Sequence, residues 1–420
     1  MQATNRASFS PASYSNAAAT YRHPRFPPLE PRVANPETAI IGGESKPSKP
    51  REQPLTPNAS KVSVIIPTWK RADLLKTCLE SLQRQTFSSF EVIIVSNGAG
   101  SWAQELAREF HSKLIDFPAN RGFAAAVNAG IDASRLPIVM ILNDDVELDQ
   151  KWLEKTVAIL EEDTSIAFLC GKIYQSDGRT IDDAGNALSM AGAAWRLGHG
   201  RPDSPSFDQP RPLFAVSMTA ALFRRSVFEI VGSLDEHFVS YLEDVDFSIR
   251  LSRSGLRGLY LPQAVARHHG GASSGGPASP EVFRLMTRNQ SLLRYKHFPW
   301  PLSLRLLPRI CWSQLLWSLM AVRQGKTWAC LRGSWSALRA WPRIRKQRHQ
   351  WLPVQLDAFF DWLRTSERAI YEEISTRPRK EQDTYWRMYF SLFRPPSRAV
   401  SMGGTQTEQG TEGLPRRSFK

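Results

Sequence analysis

Three groups of residues in this 420-residue chain have types and spacings that could do chemistry. Asn143, Asp144 and Asp145 directly follow the apolar run Ile138–Leu142. Such a run reads as an interior parallel strand, apolar along its length because both faces are covered. Two carboxylates and an amide at its carboxyl end put hard oxygen ligands where open α/β sheets bind their ligands. Oxygen donors of this kind suit a divalent cation, and a divalent cation suits a diphosphate. Glu243-Asp244-Val245-Asp246 forms a second acidic group, and His268-His269 a third site.

Transfer from a sugar diphosphate would need a cation to neutralise the departing diphosphate, a base for the acceptor's proton, and a grip on the nucleoside. Asp145, with Asp144 and Asn143 beside it, could meet the first need. A solvated turn with Asp at a helix start explains the same residues without chemistry. Asp244 opens an expected helix, so capping accounts for it too. Three acids within four residues exceed what a cap needs, because like charges this close repel. A carboxylate kept ionised near a hydroxyl is a suitable general base, and one base without a paired nucleophile favours direct displacement with inversion. His268-His269 leads into Gly270-Gly271-Ala272-Ser273-Ser274-Gly275, a loop able to wrap phosphates, although a histidine there serves structure equally well.

The elements that must hold these groups alternate. Strands are expected at Val62–Ile66, Glu91–Val95, Lys113–Phe117 and 138–142. Helices are expected at Ala72–Gln85, Ser101–Phe110 and Gly122–Ala133. Strand–helix alternation of this length indicates a doubly wound, mostly parallel α/β sheet. A helix over Asp149–Glu162 and a strand over Ile166–Tyr174 follow. Residues 176–212 read as loop, punctuated by Pro202, Pro205, Pro210 and Pro212. Phe214–Phe223 reads as a strand, Arg225–Val231 as a helix capped by Gly232, Glu243–Ser254 as a helix closed by Gly255, and Leu259–Ala266 as extended.

Composition sets the outer limits. Residues 1–60 are dense in Pro, Ser, Ala and Asn without a sustained period, which predicts a disordered tail, and 395–420 reads alike. The first 29 residues also lack acids, as transit peptides do, and no apolar signal core is visible. The formal charge is +14, and residues 282–356 alone hold fourteen Lys or Arg and no Asp or Glu. So local a field suits an anionic surface, a membrane leaflet or a nucleic acid. Trp328, Leu331, Trp335 and Leu338 share a helical face against Arg332, Ser336, Arg339 and Arg343. Leu304, Leu307, Cys311 and Leu315 oppose Arg305, Arg309 and Ser313. These are amphipathic helices of the kind that lie in an interface. The longest apolar run, Ile310–Val322, gives only about 20 Å of helix against a ~30 Å hydrocarbon core, which excludes a spanning segment there. Cys78, Cys170, Cys311 and Cys330 lack metal-ligand spacing and suit a reducing compartment.

Six motifs now fall in order: VSVIIPTWKR at 62–71, CLESLQRQT at 78–86, NRGFA at 120–124 with Asn128 and Ile131, LNDD at 142–145, GSLDE at 232–236 and EDVDF at 243–247. With HHGGAS at 268–273 they resemble the family 2 glycosyltransferases, especially their rhamnosyltransferase-like branch, over about residues 61–300. The resemblance implies a GT-A type fold, a nucleotide-sugar donor, Mg2+ or Mn2+, and inversion. It implies that Pro67, Thr68 and Arg71 line the nucleotide pocket. Asn97, Asn128, Asn143 and Asp144 join the donor-binding set. Asp145 resembles the last acid of the family's Asp-x-Asp metal motif, Asn143 replaces the first, Asp244 matches the base, and His268 matches a histidine near metal and diphosphate. One departure is Ser96, where the family usually carries an acid that contacts the nucleobase.

The expected organisation is a tail (1–60), a GT-A domain (61–280), a basic helical membrane-surface region (281–394) and a second tail (395–420). The expected partners are a nucleotide-sugar donor, a lipid-linked or polysaccharide acceptor and an anionic membrane, without nucleic acid. The expected place is the cytoplasmic face of the cell membrane. A catalytically silent, basic binding protein on a transferase scaffold is the competing reading.

Overall fold

The computed structural model describes residues 60–270, 279–351 and 356–395. The expectations for the two tails, and for the glycine- and serine-rich loop beyond Gly270, lie outside the described residues. β1 (Val62–Thr68), β2 (Phe90–Asn97), β3 (Lys113–Phe117) and β4 (Ile138–Leu142) alternate with α1 (Ala72–Gln83), α2 (Ser101–Glu109) and α3 (Phe123–Ala133). The strands run parallel in the order β3-β2-β1-β4. Alternate residues point to opposite faces. Val64, Ile66, Met140 and Leu142 pack with α1 on one side, and Ile65, Val139 and Ile141 pack with α3 on the other. Both faces of β1 and β4 are dry, which is why these two strands are largely apolar, whereas β3 at the edge exposes Lys113 and Asp116.

Beyond β4 the sheet changes direction. β5 (Val146–Leu148), α4 (Trp152–Glu162) and β6 (Ile166–Gln175) come next. Five short strands follow: β7 (Thr180–Asp183), β8 (Asn186–Leu188), β9 (Ala194–Arg196), β10 (Arg201–Pro202) and β11 (Arg211–Pro212). β12 (Ala220–Arg224) runs antiparallel between β4 and β6. α5 (Ser226–Val231), α6 (Glu243–Arg253) and β13 (Arg257–His268) complete this half.

Three expectations are corrected here. The stretch 176–212 is not loop alone, since β8 and β9 form a hairpin and β7 joins the main sheet. The strand expected from Phe214 begins only at Ala220, because Val216 donates its N–H to Ser248 and Ala215 bridges to Asn186. The helix expected from Asp149 begins at Trp152, because the Asp149 N–H still pairs with Val265 O alongside the β5–β13 ladder.

The remaining helices are α7 (Pro280–His297), α8 (Trp300–Arg305), α9 (Leu307–Arg323), α10 (Thr327–Trp351), α11 (Leu356–Ser375) and α12 (Thr384–Leu392). α7 and α11 share a core with α6. Leu292, Leu293, Phe359 and Trp362 pack with Leu242, Val245 and Ile249. α11 also binds the β8–β9 hairpin, its Ser366 and Glu367 accepting the N–H groups of Leu188 and Met190. α10 lies along α7, and Gly333 allows the close approach, since a Cβ there would sit 2.5 Å from Arg284 O.

The outer sides of α8, α9 and α10 are unusual. Leu304, Leu307, Leu315, Leu319, Val322, Trp328, Leu331, Trp335 and Leu338 are all exposed. Ser313 of α9 faces inward instead, and Arg309 pairs with the buried Glu367 at 2.6 Å. The apolar stripe therefore points away from the protein. Among the described residues no helix is long and apolar enough to cross a membrane.

Candidate active site

β5 and β13 pair antiparallel over three residues, Leu148 with Ala266, Glu147 with Arg267, and Val146 with His268. The His269 N–H continues the contact by donating to Asp145 O. This short ladder brings His268 beside the end of β4. The His268 Nε2 lies 3.2 Å from Asp145 Oδ1, and its Nδ1 lies 2.8 Å from Asp182 Oδ2. Burial alone would lower the imidazole pKa, but the two flanking carboxylates raise it to about 9. Asp182 is itself held by Arg196 and His199. Burial works against its charge, yet His199, His268 and Arg196 keep its carboxyl far below the usual range.

Thr68, at the end of β1, donates to Asp144 Oδ2 at 2.6 Å. Burial pushes the Asp144 pKa up to about 7 against that hydrogen bond, and the Asp145 charge adds to the rise. Pro67 is buried opposite Val95 of β2. Arg71 forms an exposed pair with Asp73 at 2.8 Å. Asn143 anchors β4 by donating its N–H to Thr219 O, and its buried Oδ1 has no hydrogen-bond partner. Asn97 and Asn128 have a different occupation. The Asn97 amide donates to Asn120 and to Gly122 O and accepts from Arg121 N–H. Asn128 exchanges both its groups with the Leu234 backbone and donates again to Glu236. Their amide hydrogens are spent on bracing loops, so donor contact by these two would be through the loops they shape.

Asp244 starts α6. Its Oδ2 accepts from Asn186 Nδ2 at 3.2 Å and its Oδ1 accepts from the Val245 N–H. Burial raises its pKa to about 7, and the charge of Asp183 contributes. Neighbouring Glu243 is raised further, to about 8, by burial and then by Asp244. Its Oε2 is buried and has no hydrogen-bond partner. Two carboxyls so close and so dry do not both ionise. Hydrogen-bond donors face Asp244, so it holds the negative charge and Glu243 the proton.

Asp182, Asp183, Asn186 and Arg196 lie in the segment that links His268 to Asp244, and sequence reasoning missed them. The Asp182-Asp183 pair was the available signal, hidden in a segment read as loop.

Whether a divalent ion fits can be judged from the donors. Among the described residues no set of three or more His, Cys, Asp or Glu side chains already converges on a metal position. Mg2+ needs few protein ligands when substrate phosphates supply the rest. Asp145 offers a carboxylate, His268 an imidazole once its proton leaves, and Asn143 Oδ1 a buried acceptor still seeking a partner. The residues fit such an ion, whose binding would release a proton.

The chain is similar to several known proteins. Glycosyl transferase family 2 matches residues 63–232. The chain is 32% identical over 240 residues to the O-antigen biosynthesis protein RfbC of Myxococcus xanthus, covering 53% of this chain and 18% of that protein. It is 28% identical over 241 residues to the N-acetylglucosaminyl-diphospho-decaprenol L-rhamnosyltransferase of Mycobacterium tuberculosis (strain ATCC 25618 / H37Rv), covering 51% of this chain and 78% of that one. The crystal structure of GalNAc-T7 with UDP, GalNAc and Mn2+ aligns over 68% of this chain and 59% of its own, at 14% identity and a TM-score of 0.47. The matched part thus spans under a fifth of RfbC and over three quarters of the rhamnosyltransferase. Residues 63–232 are thus similar to glycosyl transferase family 2.

Proposed function

We propose that the chain moves a sugar from a nucleoside-diphosphate donor to a hydroxyl acceptor by direct displacement, with inversion at the anomeric carbon. One observation carries the reading. Asp145 meets His268 at the end of β4, and Asp244 joins the same neighbourhood through the Asp182–Asn186 segment. Asp244 takes the acceptor proton as the new glycosidic bond forms and the bond to the diphosphate breaks. Its pKa of about 7 suits that task, because a general base works best near the operating pH. Asp145, with His268 and Asn143, would hold Mg2+ or Mn2+. When bound, such an ion neutralises charge on the departing diphosphate. Thr68, Asp144 and Arg71 would line the nucleotide.

A rhamnosyl donor and a lipid-linked acceptor draw support from the M. tuberculosis relative, whose name carries both. A panel of nucleotide sugars with Mn2+, read by nucleoside-diphosphate release and thermal shift, tests the reading. A donor at 100 times its Kd stabilises the folded chain by about 2.7 kcal/mol. Asp145→Ala is expected to lose the Mn2+-dependent part of that shift. An unchanged Mn2+ titration would remove Asp145 from the ion's ligands.

The acceptor side of the reading includes a membrane, at its cytoplasmic face. The support is the outward apolar stripe of α9 and α10, flanked by exposed Arg305, Arg323, Arg332, Arg339, Arg343 and Arg345 in a stretch without acids. Each cation near an anionic leaflet contributes about 1 kcal/mol. The four cysteines are free, as a reducing compartment would keep them. The full chain is expected to float with phosphatidylglycerol vesicles and not with phosphatidylcholine alone. The double variant L331D/W335D should stay behind with an unchanged melting temperature, since both side chains are exposed. Flotation of that variant would refute insertion.

A further inference from the structure

The segment between the Asp235 turn and α6 is strained. Among the described residues four non-glycine positions take left-handed backbone angles, and three of them are Val239 (φ 64°), Tyr241 (φ 71°) and Leu242 (φ 66°). Bulky and β-branched residues rarely adopt this conformation, and it persists only where surrounding groups enforce it. Leu242 directly precedes Glu243 and Asp244, so its backbone angle sets the direction in which α6 starts.

One buried side chain holds this segment. The Asn289 Nδ2, on α7, lies 2.9 Å from Phe238 O, 2.9 Å from Ser240 O and 2.7 Å from Tyr241 O. Asn289 has no solvent exposure. Its Oδ1 accepts from Arg288 Nη1, which also donates to His237 O at 2.6 Å. The carbonyls of four residues in the stretch 237–241 thus converge on two consecutive side chains of one helix. On its other side the segment touches the NRGFA motif. Val239 O accepts from Ala124 N–H, and Ser240 Oγ accepts from Phe123 N–H. Gly122 (φ 93°) leaves room for this contact, because a Cβ there would lie 2.7 Å from both Val239 Cγ1 and Val239 O.

We propose that Asn289 is a positioning residue: it locks the strained segment 238–242 and thereby fixes Asp244 relative to the NRGFA motif at 120–124. The role rests on the transferase reading above, and Asn289 itself need touch no substrate. An amide is suited to the task. It offers hydrogens to carbonyls, whereas a carboxylate of the same shape would repel them.

The test uses the full chain. Asn289→Asp is expected to cut kcat about 100-fold, the scale of an ångström-sized misplacement, while KM for the donor moves less than about threefold. Hydrogen exchange should accelerate in peptides covering 237–243 and stay unchanged in β1 and β4. Asn289→Ala should behave alike, and adding Val239→Gly to it should return about tenfold of the lost kcat, because glycine adopts the left-handed angle without enforcement. That rescue separates positioning from mere support, since a flexible glycine would loosen a purely structural site further. Unchanged kcat in Asn289→Asp overturns the proposal, as does a parallel fall of kcat, donor binding and melting temperature without rescue. If the native chain releases no diphosphate from any nucleotide sugar, the transferase reading fails separately. The exchange data then decide whether Asn289 locks the segment, and an unaccelerated 237–243 rejects it.

Discussion

Asp244→Asn is expected to lower kcat by about 10²- to 10⁴-fold, the usual contribution of a positioned general base. The amide keeps the size of the carboxylate, and its one oxygen can keep the contact with Asn186, at the cost of the bond from the Val245 N–H. What it loses is a site for the acceptor's proton. Donor affinity and Mn2+ affinity should change little, because Asp145, Asp144 and Thr68 belong to other strand ends. Calorimetry alongside single-turnover kinetics separates these quantities. The native enzyme should be inactive in acid, where Asp244 is protonated, and gain activity as pH rises through about 7. The variant should lack that limb. Near-normal turnover in Asp244→Asn would transfer the role elsewhere, first to Glu243.

Asp246→Ala should destabilise the fold by about 3–5 kcal/mol, because buried Arg250 and Lys296 lose a carboxylate partner, although Lys296 keeps Asp235 at 2.8 Å. Asp246 is fully buried, 2.8 Å from Lys296 Nζ, 2.7 Å from His297 Nε2 and 3.1 Å from Arg250 Nε. A native domain is worth only about 5–15 kcal/mol in total, so this one substitution removes a large share. Chemical denaturation measures it, and a loss below about 1 kcal/mol would contradict the accounting. Acid should act similarly. Burial opposes the Asp246 charge, but Lys296, Arg250 and His297 hold its folded pKa well below the unfolded value. Its contribution is therefore complete above the unfolded carboxylate pKa, about 3.9, and is lost as pH falls toward the folded value. His297 is pushed down to about 3 by burial. It stays neutral when folded, so unfolding takes up its proton below about 6.5. The His297 share of stability is expected to decline from about pH 6.5 downward, by up to about 1.4 kcal/mol per pH unit. Asp144, Asp244 and Glu243, whose folded pKa values are raised, act in the opposite sense.

The centre of the parallel half was legible because β1 and β4 are buried on both faces. Val64–Ile66 and Ile138–Leu142 carry an apolar signal that few alternatives share. Asp145, Asp244 and His268 were legible because acids and histidines at strand and helix ends stand out against such runs. Asp182 and Asn186 were not. They sit on strands of four and three residues, too short to display a period, amid glycine and proline turn signals. Asn289 gave no signal either, since an amide inside an amphipathic helix is ordinary until its three carbonyl partners arrive from a loop some fifty residues earlier. The outward apolar stripe was visible as amphipathicity, but which side faced the protein depended on Ser313 and Arg309 docking inward.

β13 carries two irregularities in its pairing with β6, one after Arg257 and one between Leu261 and Val265. Side chains alternate sides along a strand, so each added residue inverts the parity of everything beyond it. The second irregularity resets that parity just before the ladder with β5, and His268 emerges on the side of Asp145 as a result. Insertions or deletions between 261 and 265 are therefore tolerable in steps of two, while a single-residue change would turn the imidazole through the sheet. Drift in this stretch during evolution should therefore obey an even-number rule.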